Sequence, residues 1–172
     1  MGTTVKKTVQ TDNLKNLQQI IRELNNKKIK VGIFGSAGSK MLMIATVNEY
    51  GVDIVITPKM RWWLHFNGLH VKKTTTQIHI PARSFIRATI NEKQDEINSF
   101  VKANLDLLFT FQITTKQFLD KVGHYLVGLT QETLTDLNSP KNHPWTVKRK
   151  KGKDNPLINT GQLRESIVFE IE

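Results

Sequence analysis

Apolar positions recur along this chain with two periods, and the switches between them mark out its elements. Leu14, Leu17, Ile20, Ile21 and Leu24 follow helical spacing. Asp12 offers an oxygen to cap that helix, which is expected over 12–26 and ends at Asn25-Asn26. KIKVGIF, 28–34, alternates and is rich in β-branched residues, which predicts a strand with Ile29, Val31 and Ile33 on one face. A glycine-punctuated loop leads into MLMIATVNEYG, a helix expected to close at Gly51. DIVIT, 53–57, predicts a second strand stopped by Pro58. RWWLHF and TTTQIHI both have strand composition, with turn residues between them, so 59–80 is expected to form an extended β-hairpin.

From Pro81 the period becomes helical. Pro81 suits a first helical position, and Ile97, Val101, Leu105 and Leu108 make a stripe through a long helix expected over 81–109. After FTFQIT, Thr114 and Gln117 have capping-box spacing, opening a second long helix over 114–138 that Pro140 ends. Residues 139–156 read as a long basic loop bounded by proline. In NPLINTGQLRESIVFEIE, Asn159 or Thr160 can cap a short turn, and a strand over 166–172 follows. A terminal strand needs a sheet edge, so the end of the chain is expected to return to strands formed near its beginning. The expectation is a single-domain α+β fold over 1–172: a mixed or antiparallel sheet, two long helices on one face, the hairpin and the basic loop.

Composition narrows the functional classes. The 172 residues suffice for one core-forming domain, with 38% hydrophobic and 23% charged residues, as in globular proteins. There are no cysteines, which removes disulfides, thiolate ligands and thiol nucleophiles together and suits a reducing cytoplasm. The opening MGTTVKKTVQTDN lacks an apolar stretch, so no signal peptide is expected, and Lys6 stands where a myristoylation signal wants Ser or Thr. No apolar run approaches a membrane span. The net charge of +10 implies an anionic partner: nucleic acid, an acidic protein surface or a membrane face.

Catalytic patterns fail on spacing. Gly32, Gly35 and Gly38 lie between a strand and a helix, but Ser39 separates Gly38 from Lys40 and the glycines stand three apart, which suits neither a phosphate loop nor a dinucleotide fingerprint. His65, His70, His79, His124 and His143 form no zinc-enzyme pattern, and only His65 and His79 could meet across the expected hairpin. Ser84 and Ser166 have no nucleophile elbow around them. The expectation is no catalysis, no metal and no cofactor. Trp62-Trp63 would point to opposite faces of a strand, leaving open whether both pack inside or one anchors a partner. Lys148, Arg149, Lys150, Lys151 and Lys153 suit phosphates or an acidic neighbouring subunit equally.

The order KVGIFG, ATVNEYG, ITPKMR, IPARSFIR, a helical middle and PLINTGQLRESI resembles a family of tailed-bacteriophage morphogenesis proteins, variously called minor tail, virion morphogenesis, tail-completion or head–tail joining (neck) proteins. The resemblance runs from about Lys28 onward. The matching motif positions are Pro81, Ala82, Arg83, Phe85, Pro156, Thr160, Gly161 and Arg164. The family more often has Pro in place of Ser84 and Asp in place of Asn159, and Asn caps nearly as well as Asp. The resemblance implies a structural virion protein of the neck, made in the cytoplasm of the bacterial host. It implies a homo-oligomeric ring, a hexamer by preference, between head-completion and tail-terminator or tail-tube proteins, with packaged DNA within reach and no membrane. The alternative, carried by charge, is a sequence-independent nucleic-acid-binding protein.

Overall fold

A computed structural model describes the backbone of residues 2–172 and the side chains from residue 13 onward. The fold is α+β. Its helices are α1 (Gly2–Asn25), α2 (Ser39–Tyr50), α3 (Pro58–Phe66), α4 (Ile86–Glu92), α5 (Gln94–Phe109), α6 (Thr115–Asp136), α7 (Pro144–Arg149) and α8 (Gln162–Glu165). Its strands are β1 (Ile29–Gly32), β2 (Val52–Val55), β3 (Gln77–Ile80) and β4 (Val168–Ile171). No helix among the described residues is long and apolar enough to cross a membrane.

Two short antiparallel pairs take the place of one sheet. β4 returns to β1, with Val31 opposite Phe169 and Ile29 opposite Ile171, so the last strand joins one formed near the beginning of the chain, as the terminal alternation predicts. Glu172 and Lys28 extend the pair by exchanging backbone hydrogen bonds. β2 pairs with β3, Val52 opposite Ile80.

α6 is the central element. Thr114 and Gln117 close its capping box as expected, the hydroxyl accepting from the Gln117 amide and the Gln117 side chain accepting from the Thr114 amide. The N-terminal half of α6 packs Phe118, Leu119 and Val122 with Leu108 of α5, joined by Ile20 and Leu24 of α1. Its C-terminal half brings Leu134 to a second cluster with Ala45, Phe85, Leu157, Leu163 and Ile167. Between the two, Gly123 lies flat under the Phe169 ring of β4, where a Cβ atom would come within 2.3 Å of ring carbon. Glycine makes that close helix–strand crossing possible.

Four expectations are corrected. The hairpin over 59–80 is absent: 58–66 is α3, and β3 pairs with β2 instead. The reason is local, because the Thr57 hydroxyl accepts from the Met60 amide and Pro58 supplies a preset first helical turn. Aromatic composition suggested a strand there, and the Thr-Pro start outweighed it. The helix over 81–109 starts at Ile86 and breaks at Lys93, while 81–85 is non-helical and Pro81 precedes no helix directly. The helix over 12–26 begins at Gly2, so Asp12 lies within it; no glycine or proline interrupts 3–11. Finally, the basic loop over 139–156 contains α7, whose His143 ring accepts from the Trp145 amide and whose Pro144 occupies its first turn.

Candidate interaction surface

Glu49 sits at the end of α2, just before Gly51, whose φ of 72° turns the chain into β2. A Cβ at Gly51 would lie 2.8 Å from the Ala82 amide nitrogen, so only glycine allows α2 to end against the PARSF segment. That contact delivers the Glu49 carboxylate, 4% exposed, to the start of α4. There it accepts from Ser84 Oγ at 2.6 Å, from the amides of Phe85, Ile86 and Arg87 at 2.9, 3.1 and 3.1 Å, and from Arg87 Nε at 3.0 Å. These amides are the otherwise unpaired first donors of a helix, and the carboxylate caps them from another element. Burial pushes the Glu49 carboxyl upward in pKa, but the bonds from Ser84 and the three amides together outweigh it, so the group titrates below its ordinary range. Phe85 fills the core beneath with no exposure.

Arg83 points the other way. Its amide donates to Asn48 O at 2.6 Å, while Nε donates to Pro140 O at 2.8 Å and an Nη to Lys141 O at 3.2 Å. The guanidinium is buried, its pKa lowered by desolvation, and it makes no ion pair among the described residues. It serves as a clamp on the segment leading to α7. Asn155 completes the clamp: its amide group donates to Thr135 O at 2.7 Å, and its side-chain oxygen accepts from the amides of Leu157 and Ile158. Pro156 follows, half-buried, and Thr160 accepts weakly from the Gln162 amide. Gly161, at φ 93°, starts α8. Arg164 and Ala82 are exposed, and the Arg164 carbonyl accepts from Gln131. Together with Glu49 and Asn155, these positions join α2, the start of α4, the end of α6 and the C-terminal turn.

The surface that this frame presents is built from α3 and α7. Trp145 Nε1 donates to Asn67 O at 2.8 Å, and Arg149 donates to Asn67 Oδ1 at 2.7 Å. The Arg149 guanidinium lies over both the Trp63 and Trp145 rings, 5.4 and 4.9 Å from their centroids, and the two rings meet edge to face. Arg61 holds the following loop by donating to the carbonyls of Val71, Lys72 and Thr75. Trp62 and Phe66, one turn apart, stand out from the lobe at 64% and 68% exposure with centroids 4.2 Å apart. Because α3 is a helix, neither tryptophan enters the core: Trp63 is a half-covered partner of α7 and Trp62 is open.

Neither contributing segment, 54–91 nor 137–153, contains an Asp or Glu, yet between them they carry Lys59, Arg61, Lys72, Lys73, Arg83, Arg87, Lys141, Lys148, Arg149, Lys150, Lys151 and Lys153. The structure splits the predicted basic cluster. Lys150 is buried and donates to Asn155 O, its pKa lowered by burial and by nearby Arg83, and Lys153 donates to Asn159 O. Arg149 is committed to the aromatic cluster. Lys59, Lys72, Lys73, Lys141, Lys148 and Lys151 are exposed, and none forms an ion pair among the described residues.

The histidine pairing also differs from expectation: His65 Nδ1 lies 2.8 Å from His70 Nδ1, while His79 lies 2.7 Å from Asp53 across the β2–β3 pair. Among the described residues no three His, Asp or Glu side chains converge as a metal-binding group. Glu49 is the residue that sequence reasoning passed over. Its signal was its isolation, as the one carboxylate between Glu23 and Asp53, set in an apolar helix. Comparison of the chain with protein-family models, with curated proteins and with solved structures finds no match.

Proposed function

We propose that this chain is a structural protein of a tailed-phage particle that joins head to tail, working by binding alone as a homo-oligomeric ring, a hexamer by preference. The observation that carries the reading is the order of the motifs KVGIFG, ATVNEYG, IPARSFIR and PLINTGQLRESI. Their residues and the adjoining Asn155 are spent on holding the frame together: Glu49 on the start of α4, Arg83 on Pro140 and Lys141, Asn155 on the end of α6. A frame that ties four segments together and leaves an aromatic, basic lobe outside suits a subunit that works through its surface. In the particle its neighbours are head-completion and tail-terminator or tail-tube proteins, with packaged DNA nearby.

Two measurements test this. Peptides of the chain are expected in purified virions of a phage carrying its gene, and disrupting the gene is expected to leave filled heads and free tails unjoined in electron micrographs. Joined, infectious particles without the chain overturn the reading. A second reading, a sequence-independent nucleic-acid-binding protein, draws on the acid-free lobe. It predicts affinity for any oligonucleotide that falls steeply with added salt, since each neutralised phosphate releases counterions.

A further inference from the structure

The lobe has a complement on the same chain. Between α5 and α6 runs a shallow apolar groove whose lining includes Phe100, Ile113, His124 and Tyr125. The Phe100 and Tyr125 rings stack at 3.8 Å and 7°. At one end the Tyr125 hydroxyl donates to Glu96 at 2.6 Å, and this bond is the main cause raising the phenol pKa to about 12. Beyond it lies a carboxylate patch: Lys93 is bonded to Glu132, and Glu96 and Asp136 also act on its charge. Residues 92–136 carry Glu92, Asp95, Glu96, Asp106, Asp120, Glu132 and Asp136 against Lys93, Lys102, Lys116 and Lys121. This stretch is net acidic in a chain of net charge +10.

We propose that the Trp62–Phe66 ridge and lysine rim of one copy dock into the α5–α6 groove and its carboxylate patch on a second copy. Two exposed aromatic residues one helical turn apart form a ridge that fits between two helices, with the apolar contact at the centre and charges around it. Charge complementarity selects this occupant, because the six exposed lysines form no ion pair among the described residues. Nucleic acid accounts for the lysines but leaves the ridge unexplained: the Trp62 and Phe66 rings are tilted 46° toward each other and offer no open parallel platform for a base. Every copy carries both the ridge and the groove, on different elements. A contact in which one copy's ridge meets the next copy's groove without reciprocation is heterologous, and closes into a ring where the rotation permits. The inference deepens the proposed role by naming the surfaces through which copies meet.

The test uses the full chain in native mass spectrometry and sedimentation velocity across a salt series. The wild-type protein is expected to self-associate, less so as salt rises. The double variant Lys148→Glu/Lys151→Glu and the double variant Glu96→Lys/Glu132→Lys are each expected to associate at least about tenfold more weakly. Mixing the two is expected to restore association, since each then supplies the surface the other has reversed. Trp62→Ala tests the apolar centre separately, and far-UV circular dichroism checks that every variant is folded. A wild-type chain that stays monomeric, association indifferent to both reversals, or failure of the mixture to recover overturns the proposal. So does lysine reversal that abolishes salt-dependent binding of a labelled single-stranded oligonucleotide while self-association persists. Absence of the chain from virions with a working charge swap removes the neck role and keeps this interface; a virion protein that fails the swap does the reverse.

Discussion

Replacing Glu49 by glutamine preserves the volume of the side chain and removes its charge, so it isolates what the buried carboxylate does. Five donors converge on it: Ser84 Oγ, the amides of Phe85, Ile86 and Arg87, and Arg87 Nε. The glutamine oxygen can keep two of them as neutral bonds, each weaker than its charge-assisted counterpart by about 1 kcal/mol. The new NH2 group then faces the Arg87 amide, donor against donor, and an amide left without an acceptor costs about 1–3 kcal/mol. Arg87 itself is half-exposed and recovers its loss from water. Losing a negative charge from the first turn of α4 adds a few tenths to about 1 kcal/mol. The sum is ~3–6 kcal/mol, which in a chain of this size lowers Tm by roughly 10–20 °C. Ser84→Ala removes one bond at a half-buried position and is expected to lose about 1 kcal/mol. Urea and thermal unfolding of the wild type and both variants measure this. A Glu49→Gln variant within about 1 kcal/mol of wild type refutes the view that the carboxylate organises the PARSF segment.

Acid should act through the same group. The folded Glu49 carboxyl titrates below its ordinary 4.5, so its contribution is whole above that pH and erodes as pH falls toward the lower folded value. Glu49→Gln should therefore flatten the acid limb of the stability profile, and an unchanged limb contradicts the assignment. Gly123→Ala is expected to destabilise by about 1–3 kcal/mol, because the Phe169 ring must leave its place over α6; a wild-type Tm in this variant would refute that packing. Gly161→Val should lose ~1–2 kcal/mol through its φ of 93° and not through crowding, so Gly161→Asn should lose less. Equal losses in the two variants would discard the backbone explanation. Deleting 148–153 should lower thermal stability, because Lys150 is buried against Asn155 and Arg149 bridges to α3; an unaltered melting curve would mean these contacts are dispensable.

Where sequence pattern and structure agree, the determinants are local or repeated. The α6 capping box needs only Thr114 and Gln117, and the α2 stop needs only Gly51. Alternation in the last residues required a strand partner near the beginning of the chain, and of the early strands it is β1 that pairs with β4. The errors arose where one distant group decides. Pro81 looked like a helix start because nothing near it shows that Glu49 supplies the acceptors five residues later. RWWLHF looked like a strand because β propensity mostly measures how side chains pack on a sheet, and no sheet lies there for Trp62 and Trp63. Of the α3–α7 lobe, Trp63 and the basic residues stand out individually in the sequence. Their union with Trp145 and Asn67 depends on α3 meeting α7, a tertiary contact without a sequence period.

The placement of α6 bears on how this molecule tolerates force. One helix supplies side chains to both apolar clusters, and β4 lies across it between them. Separating Lys28 from Glu172 loads the β1–β4 pair, and that strain passes through Phe169 into the middle of the helix. A molecule wired this way should lose its two apolar clusters together, because α6 cannot leave one without loosening the other.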